Sequence, residues 1–87
     1  MKIEEVAGLD WDKGGGLLPA IVQDAGTGRV LMVGFMNRQA LRETLSSGRV
    51  TFFSRSRQAL WTKGETSGRY LDLVEASADC DRDTILV

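Results

Sequence analysis

Apolar residues in this chain come in short blocks separated by glycine and polar clusters. Leu17-Leu18-Pro19-Ala20-Ile21-Val22-Gln23 is followed by Ala25-Gly26-Thr27-Gly28 and then by a second block, residues 29–36. The intervening glycines and hydroxyl are turn chemistry, so the two blocks read as the arms of a hairpin, with Pro19 near the start of its strand or on an edge. Residues 30–36 are apolar at nearly every position, the pattern of a strand covered on both faces. Asn37 then suits a helix N-cap, Met36 and Leu41 can pack across it, and Gly48 suits the left-handed closing position. This predicts a helix over about 38–47 with Ala40, Leu41, Thr44 and Leu45 as its buried stripe.

Residues 50–54 read as a short strand. Between 55 and 68 the pattern breaks into a polar stretch, long for a compact domain and therefore a candidate for function. Residues 69–78 and 84–87 read as further strands. The last one stops at Val87 in mid-element, without a turn or polar tail, which predicts that more chain follows. The first sixteen residues are polar and end in Gly14-Gly15-Gly16, so they are expected to be an irregular N-terminal arm.

Eighty-seven residues bound the chain to one domain, which buries only about two-thirds of its unfolded surface. Such a core is marginal and invites a partner. The composition, 43% hydrophobic and 26% charged, is that of a soluble globular chain and excludes disordered and fibrous classes. The net charge of −1 hides a segregation: Arg55, Arg57, Lys63 and Arg69 stand against Glu65, whereas from Asp72 onward five acids face Arg82 alone. One segment suits phosphate and the next suits metal. A nucleic-acid binder would carry a larger basic surplus over one face, so a small phosphorylated ligand is expected instead. The single cysteine, Cys80, excludes an internal disulfide. The acidic N-terminus and the lack of any apolar run near about 18 residues predict a cytoplasmic, non-membrane protein.

Two segments can carry chemistry. In Asp79-Cys80-Asp81-Arg82-Asp83, read as an extended strand, residues two apart lie about 6.5 Å from each other on one side, so three carboxylates share a face and Cys80 takes the other. Hard oxygens suit Mg²⁺ and a thiolate suits zinc. The competing reading is a solvated acidic turn with an inert cysteine. One thiol is not a zinc site, since a catalytic zinc takes three protein ligands and an open position, and the chain has no histidine. Further ligands would come from residues not present here or from partner chains, unless Cys80 is structural. The second segment, residues 54–68, gathers guanidinium forks, an ammonium, hydroxyls and glycine-exposed amides, all phosphate-binding groups, though charged loops are often merely solvated. Trp61 either stacks on a base or fills core. Phe35, Phe52 and Phe53 are expected to pack in the core, as are Met32 and Met36, while Trp11 is open.

Taken in order and spacing, residues 17–24, 30–37, the Ser-Arg-Ser-Arg-x-x-Leu-Trp-x-Lys-Gly-x-x-Ser-Gly run from Ser54 to Gly68, and Asp79-Cys80-Asp81-Arg82-Asp83 resemble phosphoribosyl-AMP cyclohydrolase of histidine biosynthesis. The resemblance runs from about Leu9 to Val87, and the long basic motif makes it specific. It implies a single cyclohydrolase-like domain over residues 1–87, with an α+β fold of mostly antiparallel sheet and one main helix. It also implies an intertwined homodimer with active sites where the chains meet. It implies Zn²⁺ held by three cysteines from both subunits, Cys80 being the first, and Mg²⁺ held by Asp79, Asp81 and Asp83. The implied reaction is hydrolysis of the N1–C6 bond of the adenine ring of phosphoribosyl-AMP by a zinc-activated water. Arg55, Arg57 and Lys63 are then expected to meet the substrate's two phosphate ends, Thr66 and Ser67 to donate hydrogen bonds, and Trp61 to contact substrate.

The family pattern continues beyond this chain's last strand with a Cys-His pair and a final cysteine, which the 87 residues lack. Residues 69–72 also depart from the polar, glutamine-containing start expected of that strand. Three readings follow: a cyclohydrolase with more chain than these residues, an inactive nucleotide- or metal-binding relative, and an interaction domain with the family fold alone. Fusion to a pyrophosphohydrolase domain is an arrangement the family permits.

Overall fold

The structure, a computed structural model, describes residues 1–65, 67–80 and 82–87. Thr66 and Asp81, both given roles above, lie outside the described residues. In chain order the elements are a 3-10 helix (Ile3–Gly8), β1 (Leu18–Gln23), β2 (Val30–Met36), α1 (Arg38–Ser47), β3 (Thr51–Ser54), β4 (Ala59–Thr62), β5 (Ser77–Ala78) and β6 (Ile85–Leu86).

The predicted hairpin is present: β1 and β2 pair antiparallel from Leu18↔Met36 to Val22↔Met32, with a bulge at Val22/Gln23. Its turn is held by Asp24, whose carboxylate accepts from the Thr27 hydroxyl at 2.7 Å and the Thr27 amide at 3.0 Å. Those hydrogen bonds favour the ionised carboxylate and lower its pKa. Alternation along β1 buries Leu18, Ala20 and Val22, and on the opposite face Pro19 and Ile21 pair with Phe35 and Val33.

β6 pairs in parallel with β1, and β5 pairs antiparallel with β6, giving a four-stranded sheet in the order β2-β1-β6-β5. The fold is α+β and mostly antiparallel, as expected: among the described strands β1–β2, β5–β6 and β3–β4 pair antiparallel, and the β1–β6 pairing makes the four-stranded sheet mixed. Pro19 is tolerated in a central strand because β6 begins opposite Ala20, leaving the missing amide outside the ladder on that side. β2 corrects the expectation of a strand covered on both faces. It lies at a sheet edge, and Val30, Leu31 and Val33 are 55%, 47% and 60% exposed. An unbroken apolar run marks two apolar faces, and within this chain only the face of Met32, Gly34 and Met36 is turned to the core.

The helix forms as expected. The Asn37 side chain accepts from the Ala40 amide at 2.8 Å, Gly48 closes the helix at φ 76°, and Met36 and Leu41 are fully buried. Thr44 ties the helix to β3, its hydroxyl donating to the Ala40 carbonyl and accepting from the Thr51 amide, both at 2.9 Å. Phe52 of β3 lies against Gly34 of β2, where a Cβ would stand 2.6 Å from the ring. The other ring neighbour is Trp61, at 5.2 Å between centroids.

Three expectations are revised. The N-terminal arm is not irregular: its 3-10 helix buries Val6, and Leu9 and Trp11 complete that part of the core, with the Trp11 Nε1 donating to the Val6 carbonyl at 2.7 Å. The polar stretch 55–68 contains β4, which pairs with β3 from Thr51↔Thr62 to Ser54↔Ala59. Residues 69–78 are not one strand; they make an isolated bridge, Arg49↔Asp72, and then β5. No described helix is long and apolar enough to cross a membrane.

Candidate functional site

The acidic segment is the loop of the β5–β6 hairpin and not an extended strand. Asp79 closes it: its amide donates to the Thr84 carbonyl at 3.0 Å, and its Oδ1 accepts from the amides of Asp83 at 3.0 Å and Thr84 at 3.2 Å. Arg82 turns the chain at φ 59°. The alternation of faces drawn from an extended backbone therefore does not apply, because an aspartate that hydrogen-bonds its own downstream amides favours a turn. Cys80 sits on this turn and is exposed.

The N-terminal arm braces the same turn. The Asp10 amide donates to the Arg82 carbonyl at 2.7 Å, and the Lys13 ammonium pairs with Asp83 Oδ2 at 2.5 Å. That ammonium is the main reason the Asp83 carboxyl lies below its ordinary range. Sequence reading missed Lys13, since its partner is 70 residues away and no local pattern links the two.

As donors, two carboxylates and an exposed thiol have the chemistry for a hard cation and for zinc. Among the described residues no three such side chains converge on one point. Asp79 Oδ1 is engaged by backbone amides and Asp83 Oδ2 by Lys13. A cavity of about 500 Å³ opens beside the turn, lined by Glu4, Glu5, Glu75, Asp79 and Arg82. A second, of about 640 Å³, lies between the β1–β2 turn and residues 70–75 and is lined by none of the candidate site residues.

The basic segment is divided by β4. Arg55 and Arg57 stand exposed on the β3–β4 turn, where the Ser54 hydroxyl accepts from the Arg57 amide at 3.3 Å and the Gln58 side chain donates to the Arg55 carbonyl at 2.7 Å. The Arg55 guanidinium lies 4.1 Å over the ring of Phe35. Phe35 is half-buried and outside the core cluster, contrary to the core role expected of it. Lys63 and Ser67 are at the other end of the hairpin, about 17 Å from the turn at roughly 3.4 Å per strand residue. There Lys63 donates its amide to the Val50 carbonyl at 3.0 Å. Gly64 adopts φ 96°, and a Cβ would stand 2.4 Å from the Arg69 carbonyl. Trp61 packs on Phe52 and the core.

Register sets these pieces relative to each other. Phe35 pairs with Pro19 and Ile85 pairs with Ala20, so Arg55 and the acidic turn lie at the same end of the four-stranded sheet. Only β1 separates their strands, a lateral distance of about 10 Å.

Residues 32–87 match the family model of phosphoribosyl-AMP cyclohydrolase. The chain belongs to the phosphoribosyl-AMP cyclohydrolase family. It is 62% identical over 79 residues to the histidine biosynthesis bifunctional protein HisIE of Escherichia coli K12, covering 91% of this chain and 39% of that protein. It is 63% identical over 79 residues to its namesake in Salmonella typhimurium, with the same shares covered. Against that of Xanthomonas axonopodis pv. citri it is 62% identical over 84 residues, 97% of this chain and 41% of the relative. The cyclohydrolase chain thus spans about two-fifths of the length of these relatives. Phosphoribosyl-AMP cyclohydrolases are hydrolases of histidine biosynthesis, and that family is metal-dependent.

Proposed function

We propose that this cyclohydrolase domain opens the adenine ring of phosphoribosyl-AMP by hydrolysis of its N1–C6 bond, in the cytoplasm and as a homodimer. The observation that carries the reading is the division of cations between the two ends of the β3–β4 hairpin, Arg55 and Arg57 at the turn and Lys63 at the far end. A substrate with a phosphate at each end needs cationic groups that far apart, and a single-phosphate ligand does not. Arg55 and Arg57 grip one phosphate through charge-assisted hydrogen bonds. Lys63, with Thr66 and Ser67 as donors, meets the other. Trp61, held by Phe52, serves as an apolar wall for the base more than as a mobile stacking platform.

The acidic turn is the reacting centre in this reading. Zinc would be held by Cys80 together with ligands beyond this one thiol, magnesium by Asp79, Asp81 and Asp83, and bound zinc supplies the acidification of a water near neutral pH. Within the chain, Asp79 keeps the turn closed through its two amide hydrogen bonds, and Lys13 holds Asp83 in place. The exposed Leu31, Val33 and Leu86 form the apolar area on which a second copy would rest.

An absorbance assay for ring opening, run with metal analysis on the same purified protein, tests the proposal. Turnover is expected, and Arg57→Ala should lower kcat/KM at least about tenfold with an unchanged far-UV spectrum. Nucleotide binding without turnover would instead support an inactive binding relative, and an unchanged kcat/KM would return the hairpin turn to a solvated loop.

A further inference from the structure

A guanidinium offers its edge to a phosphate and its flat faces to anything that stacks, so one arginine can do both at once. Arg55 is built for that double use. Its face lies on the Phe35 ring at 4.1 Å, its backbone carbonyl is held by the Gln58 side chain at 2.7 Å, and the residue is otherwise exposed. The ion pair found among the described residues joins Lys13 to Asp83, so no described carboxylate claims the Arg55 fork. Phe35 itself is fixed by the sheet: it pairs with Pro19 on the face of β2 opposite Gly34, whose missing side chain lets Phe52 approach the core face.

We infer that Phe35 is a positioning residue, an aromatic platform that pre-orients the Arg55 guanidinium toward the substrate phosphate. The inference rests on the proposed phosphate role of Arg55 and adds a residue that never touches substrate. An arginine on a hairpin turn ordinarily loses side-chain freedom when it binds. On Phe35 part of that loss is met at folding, and the gain is realised in binding. A cation–π contact at an exposed site corresponds to a two- to fivefold change, roughly, in an equilibrium constant.

The test is a double-mutant cycle in the complete natural polypeptide, reading KM and kcat for phosphoribosyl-AMP, and AMP affinity by calorimetry. Phe35→Leu, which keeps apolar volume and removes the ring face, should raise KM and the AMP dissociation constant about two- to fivefold with kcat unchanged. Phe35→Tyr, which keeps the ring, should restore both. In an Arg55→Ala background Phe35→Leu should have no further effect. An equal loss in both backgrounds, or a Phe35→Tyr variant as weak as Phe35→Leu, would overturn the platform while leaving Arg55 as a phosphate ligand. An Arg55→Ala variant with unchanged KM and AMP affinity would overturn the phosphate role itself, and the platform with it. Sedimentation of each variant checks that self-association is unaltered.

Discussion

Gly34 separates two effects that usually travel together. Its φ is not positive, so alanine is compatible with the backbone, and a Gly→Ala change at such a site stabilises by about 0.4–1 kcal/mol through the unfolded chain. Against this, the new Cβ would stand 2.6 and 2.8 Å from Cδ1 and Cε1 of Phe52, about 1 Å inside an ordinary carbon–carbon contact. The ring is 1% exposed, with Trp61 packed against it at 5.2 Å, and a close-packed interior yields little. Overpacking of this kind costs about 1–3 kcal/mol. Gly34→Ala should therefore be a net destabilisation of about 1–2 kcal/mol, lowering Tm by about 4–15 °C in a domain of this size. Urea unfolding followed by tryptophan fluorescence reads it directly, since Trp11 and Trp61 both pack in or against the core. A neutral or stabilised Gly34→Ala protein would refute the close approach of β2 and β3.

Two further outcomes are expected. Asn37→Ala removes the acceptor for the Ala40 amide and should cost about 1 kcal/mol in the same unfolding experiment; no change would mean that water caps the helix equally well. The depressed pKa of Asp24 means that the folded state favours its ionised form, so its contribution is present above the ordinary carboxylate range and is lost as pH falls through the lowered value. Tm profiles from neutral pH to about pH 2.5 should lose part of their acid slope in Asp24→Asn, and identical slopes would remove the Thr27 contact from the account.

How legible the molecule was in its sequence depended on whether the signals were local. Asn37, the stripe of Ala40, Leu41 and Thr44, and Gly48 lie within twelve residues, and α1 follows from them. The β1–β2 turn is equally local, fixed by Asp24 and Thr27. The N-terminal arm was misread because Val6, Leu9 and Trp11 keep neither a strand nor a long-helix period, and their burial depends on partners elsewhere in the chain. The acidic segment was recognised by residue type but given the wrong backbone: an Asp at position 79 can alternate in a strand or cap its own turn, and the amides of Asp83 and Thr84 decide in favour of the turn. In the basic segment the residues stood out at once. Their division came from β4, whose four residues are too few to show a period. Lys13 beside Asp83 and Arg55 on Phe35 are tertiary contacts that no spacing announces.

The parallel pairing of β1 with β6 has a consequence for how the protein is made. β1 begins at residue 18 and its second neighbour arrives at residue 85, so the middle of the sheet closes over almost the whole chain. Pairing at such separation carries a loop-closure cost before any contact repays it, and slows folding. During synthesis, the β1–β2 hairpin and α1 can form as they leave the ribosome, but β1 must wait with one edge open until β6 emerges. Through that interval an apolar strand edge is exposed to other nascent chains. Ile85 and Leu86 thus act as a late latch, closing the second edge of β1 when they arrive.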